Sequence, residues 1–78
     1  MNLEELAATL EAKNLNPDEF GIGEQRDDRF CITDDKYNWA VFHFERGKRS
    51  NEVTFATEEQ AARYFLSVVD GMIRRGCT

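Results

Sequence analysis

Tyr37-Asn38-Trp39-Ala40-Val41-Phe42-His43-Phe44-Glu45 is the stretch that decides the fold. It is rich in aromatic and β-branched residues, the composition of a pleated strand, and it runs into the charged turn Arg46-Gly47-Lys48-Arg49-Ser50. Alternation places Asn38, Ala40, Phe42 and Phe44 on one face. Tyr37, Trp39, Val41, His43 and Glu45 fall on the other. Upstream, Arg29 to Thr33 alternates in the same way, with Phe30 and Ile32 on one side and Arg29, Cys31 and Thr33 on the other. Asp34-Asp35-Lys36 is the turn between them. Downstream, Asn51 to Ala56 forms a third strand with Val53 and Phe55 on one face and Glu52 and Thr54 on the other.

Helices flank this core of strands. Thr57-Glu58-Glu59-Gln60 has the pattern of a capping box and opens a helix from about Glu58 to Arg75. Ala61, Phe65, Val68, Val69 and Met72 centre its apolar arc, which Leu66 and Ile73 widen. Glu59, Gln60, Arg63, Ser67, Asp70 and Arg74 fill the polar side. Arg74 and Arg75 suit the negative end of the helix dipole, and Gly76 follows as the stop. At the other end of the chain, Asn2 caps a helix over residues 3–13, with Glu4 and Glu5 in its first turn. Leu3, Leu6, Ala7 and Leu10 form its narrow apolar stripe. Asn16-Pro17-Asp18 ends the helical region. Glu19 to Ile22 reads as a short strand or extended arm, with Gly21 and Gly23 flanking Ile22. Glu24 to Asp28 reads as a polar loop.

The expected architecture is one α+β domain over residues 1–78. It has an antiparallel sheet of three to four strands in a meander, an N-terminal helix and a longer C-terminal helix. Phe30, Ile32, Phe42, Phe44, Val53 and Phe55 are the expected core face under the long helix. Cys31, Tyr37, Trp39, Val41, His43 and Thr54 make the opposite, mixed face.

Composition narrows the function. The 78 residues are 41% apolar, enough for one modest core and too few for a deep walled site. The net charge of −5 opposes nucleic acid and anionic membranes, and the three bases Arg46, Lys48 and Arg49 are too few to reverse it. No apolar run is long enough to span a bilayer, and the acidic, amphipathic start is unlike a signal peptide. Two cysteines, Cys31 and Cys77, make no disulfide framework, so free thiols in a cytoplasm are expected.

Catalytic and cofactor chemistry is sparse. The single histidine, His43, could share a sheet face with Cys31, but one such pair is weak ground for a nucleophile and base. No metal-ligand spacing, phosphate-binding loop or dinucleotide fingerprint occurs, so neither a metal nor a cofactor is expected. The chain reads as a binding module rather than an enzyme.

Charge is uneven along the chain. Residues 1–45 carry 11 acids and 4 bases, whereas residues 46–78 carry 4 acids and 6 bases. The densest acidic stretch runs from Glu24 to Asp35. Complementary charge speeds encounter with a basic partner, and Tyr and Trp are common anchors of interfaces. Glu24, Asp27, Asp28, Asp34, Asp35, Tyr37 and Trp39 are therefore the expected contact residues.

Three segments carry a resemblance. They are Asn16-Pro17-Asp18-Glu19-Phe20 after a helix, Trp39 through Gly47, and Phe55-Ala56-Thr57-Glu58-Glu59-Gln60-Ala61-Ala62-Arg63-Tyr64-Phe65-Leu66. Over about residues 10–70 the chain resembles small immunity proteins of bacterial polymorphic and contact-dependent toxin systems. That resemblance implies a cytosolic, non-catalytic protein that binds and neutralises a cognate secreted toxin domain, such as a nuclease or NAD-degrading enzyme, by occluding its active site. The rival expectation is a small cytosolic adaptor or regulatory domain, with an edge strand that would allow a homodimer.

Overall fold

The first helix, α1 (Leu3–Ala12), begins where expected because Asn2 Oδ1 accepts a hydrogen bond from the Glu5 amide at 2.8 Å. Its stripe works as read, with Leu6 and Leu10 fully buried. Asn14, at φ 64°, turns the chain out of the helix. A single 3₁₀ turn over Pro17–Glu19 then leads into β1 (Gly21–Ile22). β2 (Arg29–Asp34), β3 (Trp39–Glu45), β4 (Lys48–Phe55) and α2 (Glu58–Gly76) follow. These elements come from a computed structural model that describes the backbone of residues 1–76 and the side chains of residues 1–71. Met72, Ile73, Arg74, Arg75 and Cys77, to which the sequence assigned roles, lie outside the described side chains. Gly76, expected just past α2, is its last described residue.

The fold is α+β with a four-stranded sheet in the order β1-β2-β3-β4. The expected antiparallel pairs, β2–β3 and β3–β4, are present. β1 departs from the meander, because it runs parallel to β2 with Gly21 beside Cys31 and Ile22 beside Ile32. Parallel neighbours normally need a crossover of a dozen residues or more. Here residues 23–28 suffice, since β1 is only two residues long. Gly21 permits the approach: a Cβ there would lie 2.5 Å from both Cys31 Sγ and the Glu24 carbonyl oxygen.

The register of β3 corrects the expected core face. Ile32 pairs with Val41, and Cys31 pairs with Phe42. Phe30, Ile32, Trp39, Val41, His43, Val53 and Phe55 therefore share the face under the helices. Phe42 and Phe44 lie on the opposite face with Cys31 and Ala40. Both faces of β3 are apolar, and a one-residue change of pairing exchanges them, so alternation alone could not choose. The Asp35–Asn38 loop chooses, by setting Asp34 opposite Trp39.

The helix face forms the main core. Leu6, Leu10, Ile32, Val41, Ala61, Ala62, Phe65 and Val69 are buried together. Phe65 anchors α2, stacking on Phe30 at 4.6 Å between ring centroids and meeting Phe20 edge-on at 5.6 Å. The two helices lie side by side and run in the same direction. The Leu3 amide donates to Glu58 Oε2 at 2.9 Å at one end, and Lys13 Nζ meets Asp70 Oδ1 at 3.0 Å at the other. Thr57 caps α2 through the Gln60 amide.

The β3–β4 hairpin is tighter than expected. Arg46 (φ 52°) and Gly47 (φ 78°) alone connect Glu45 to Lys48. Two positive φ values make the turn whose twist matches the strands. Asn51, at φ 54°, is the extra residue of a bulge between the Val41–Val53 and His43–Ser50 pairs.

Candidate protein-interaction surface

Among the described residues, no helix covers the sheet's second face, yet Cys31, Ala40 and Phe42 are fully buried. Their cover is the 23–28 crossover together with one long side chain. Arg49 lies across the face with its guanidinium 4.1 Å from the Phe42 ring centroid. It grips Asp35 with two nitrogens, at 2.9 and 3.3 Å, and donates to Glu52 at 2.6 Å and to Gln25 at 3.0 Å. Hydrogen bonding from Arg49 holds the Asp35 carboxyl below its ordinary range, and Asp35 in turn raises the Arg49 guanidinium.

The seven expected contact residues do not form one patch. At about 3.4 Å per residue, the five steps of β2 from Arg29 to Asp34 separate the ends of the sheet by roughly 17 Å. Asp27 and Asp28 lie at the hairpin end, where Asp27 Oδ1 accepts from the Arg46 amide at 3.0 Å. Asp34, Asp35 and Tyr37 lie at the opposite end. Asp35 is occupied by Arg49, and Glu24 is paired with Arg26 at 2.6 Å. Trp39 is half-buried and packs on the main core. Tyr37, read as a strand residue, sits instead in the Asp35–Asn38 loop and is 94% exposed. Among the described residues it is the large hydrophobic side chain left exposed.

The fold gathers acids that the linear charge count passed over. Because α1 and α2 run in the same direction, both first turns lie at the Tyr37 end. Glu4 and Glu5 of α1 and Glu58 and Glu59 of α2 join Asp34 there. Lys36, Arg63 and the Met1 amine are the positive groups nearby among the described residues, and Arg63 and the amine both meet Glu59, at 3.0 and 3.6 Å. Arg29, Arg46, Lys48 and Lys13 lie toward the other end. The sequence signal was present, since acids favour helix starts, but only the parallel packing adds the two turns together.

The tip that carries Tyr37 is ordered by short bonds. The Lys36 amide donates to Asp34 Oδ1 at 2.9 Å, and the Asp35 amide donates to the Asn38 carbonyl at 2.9 Å. Thr33 Oγ1 donates to Asp35 Oδ1 at 3.0 Å. Lys36 sits at φ 77°, a region that costs a residue with a side chain about 1 kcal/mol.

The Cys31–His43 arrangement is not formed. Cys31 faces the covered side of the sheet, whereas His43 lies with Phe30 on the helix side. Burial pushes the Cys31 thiol up, against hydrogen bonds from backbone groups of Arg26 and Gly21. His43 instead lies 3.6 Å from Glu45 and lines an open groove of about 590 Å³ with Phe30, Val53, Tyr64 and Val68. Among the described residues, no group of three or more His, Cys, Asp or Glu stands close enough to hold a metal ion. Among them, too, no helix is long and apolar enough to cross a membrane. Comparison with protein families, with curated proteins and with solved structures returns no match to this chain.

Proposed function

We propose that this chain is an immunity-type inhibitor, a non-catalytic cytoplasmic protein that binds a cognate secreted bacterial toxin domain and occludes its active site. The observation that carries the reading is Tyr37. A tyrosine 94% exposed contributes almost nothing to the core, yet its loop is held by a set of hydrogen bonds and a strained Lys36. A rigid exposed aromatic is the composition of a binding anchor, because it adds contact area at small entropic cost. The acids at the same end of the fold that carry no ion pair among the described residues, Asp34, Glu4, Glu5 and Glu58, suit a cationic cleft of the kind that holds phosphates in nucleases and NAD-degrading enzymes, whereas Glu59 is engaged by Arg63 and the Met1 amine. Trp39 then supports the loop from below, and Asp27 and Asp28 fall outside the contact.

The test is co-expression with each member of a library of secreted bacterial toxin domains, followed by calorimetry on any purified pair. Protection and a one-to-one complex are expected. Tyr37→Ala should weaken that complex about 30-fold or more, the loss of roughly 2 kcal/mol typical of an anchor. Its folding stability should stay within about 0.5 kcal/mol of the parent. Asp34→Lys should slow association at low salt, while Asp28→Lys at the far end should not. A stable complex with a non-toxic cellular protein, and no protection, would replace the immunity reading with the adaptor one. Binding unaffected by Tyr37→Ala would remove this surface from both.

A further inference from the structure

We propose that Arg49 is a positioning residue for the contact loop, clasping Asp35 so that Tyr37 is presented in one orientation. The inference rests on the reading of Tyr37 as the partner's anchor.

The bonds on the loop divide into two kinds. Asp34 to the Lys36 amide, the Asp35 amide to Asn38, and Thr33 to Asp35 all connect neighbours within a few residues. Such bonds can form and break with the loop as a unit. Among the described residues, the Arg49–Asp35 pair alone ties the loop to a distant strand, 14 residues away in sequence. It does so with a planar fork on both carboxylate oxygens, which fixes angle as well as distance. Arg49 is itself held. Glu52 and Gln25 take further donors, and Phe42 supports the guanidinium face. The Arg49 side chain is 31% exposed and that of Asp35 is 29% exposed, so water competes only partly for the pair. Tyr37 follows two residues after the gripped carboxylate. A hinge at Asp35 would therefore swing the ring without disturbing the main core, which lies on the other face of the sheet.

The experiment uses the full chain, with Arg49→Met to keep the aliphatic cover over Phe42 and Arg49→Lys to keep the charge without the fork. Amide exchange by NMR reads the loop directly. The Asp35 and Lys36 amides should exchange about tenfold faster in both variants, the equivalent of losing one charge-assisted hydrogen bond, while amides of α2 and β3 keep their rates. Binding to the toxin domain provides a second readout. Arg49→Met should weaken the complex about tenfold in the parent and have little effect in a Tyr37→Ala background, since it acts through that ring. A purely structural role would lower the α2 and β3 protection as well and would weaken binding equally in both backgrounds. Unchanged exchange at Asp35 and Lys36 overturns the clasp. Faster loop exchange with unchanged affinity upholds the clasp and overturns the reading of Tyr37 as anchor. If Arg49→Met fails to fold, Arg49→Lys alone decides the question.

Discussion

One chemical change, glycine to alanine, should have opposite effects at two positions of this chain. At Gly21 the new Cβ would stand 2.5 Å from Cys31 Sγ and 2.5 Å from the Glu24 carbonyl oxygen. Comfortable contact lies near 3.5–4.0 Å, so both overlaps are about 1 Å. The sulfur belongs to a fully buried side chain bonded to the Arg26 and Arg29 carbonyls, and the oxygen belongs to the backbone of the tight crossover. Neither can yield without parting β1 from β2. Overpacking costs about 1–3 kcal/mol, and two overlaps at once put it in the upper part of that range, about 2–3 kcal/mol, against which the stiffer unfolded chain returns only about 0.4–1 kcal/mol, a net loss of about 1–2.6 kcal/mol. At Gly71, inside α2, a Cβ would meet nothing within 4 Å among the described residues. Alanine there should stabilise the helix by roughly 0.5–1 kcal/mol. For a domain of this size, one kcal/mol moves the melting temperature by about 4–8 °C. The melting temperature read by circular dichroism should therefore fall by about 4–20 °C for Gly21→Ala and rise by about 2–8 °C for Gly71→Ala. An unchanged or raised melting temperature for Gly21→Ala would refute the close parallel approach of β1 to β2. A drop for Gly71→Ala would mean that something covers that side of α2.

Two further outcomes follow from the covered face of the sheet. Phe42→Ala should cost about 3–5 kcal/mol, close to the whole stability of so small a domain, whereas half-buried Phe44→Ala should cost about 1–1.5 kcal/mol, both read from urea unfolding midpoints. Equal effects would show that Phe42 is not the buried member of the pair. Asp35 is held below its ordinary range by Arg49, so its contribution is present above the unfolded value and is lost as pH falls through the lower folded value. Urea unfolding below about pH 4 should accordingly show a shallower acid loss in Asp35→Asn than in the parent, and parallel curves would show that the pair adds nothing.

The elements were legible because their signals are local. Asn2 and Thr57 cap helices through their own next turn, and Arg46-Gly47 makes its turn with its own φ values. The candidate site was legible only in part. The sequence offers Tyr37 as a contact residue on a strand, whereas the structure places it in the Asp35–Asn38 loop, 94% exposed. Asp34 ends β2 beside that loop, where its Oδ1 accepts from the Lys36 amide. Asp27 and Asp35 were counted as free charge, although one binds the Arg46 amide and the other binds Arg49. Free and engaged carboxylates look alike until their partners, 14 and 19 residues away, are brought beside them.

The sequence by itself determined that this chain would be α+β, with two amphipathic helices, an aromatic central strand and a net negative charge. These follow from periodicity, capping and composition, which act over one or two turns of chain. Tertiary structure alone decided which face of β3 meets the helices, since both faces are apolar and the pairing of Ile32 with Val41 breaks the tie. It also decided that β1 runs parallel to β2, because that depends on the absence of a side chain at Gly21 facing Cys31. And it decided where the charge stands: two acidic helix starts, distant in sequence, become one acidic end around Tyr37 because α1 and α2 pack in the same direction against one sheet.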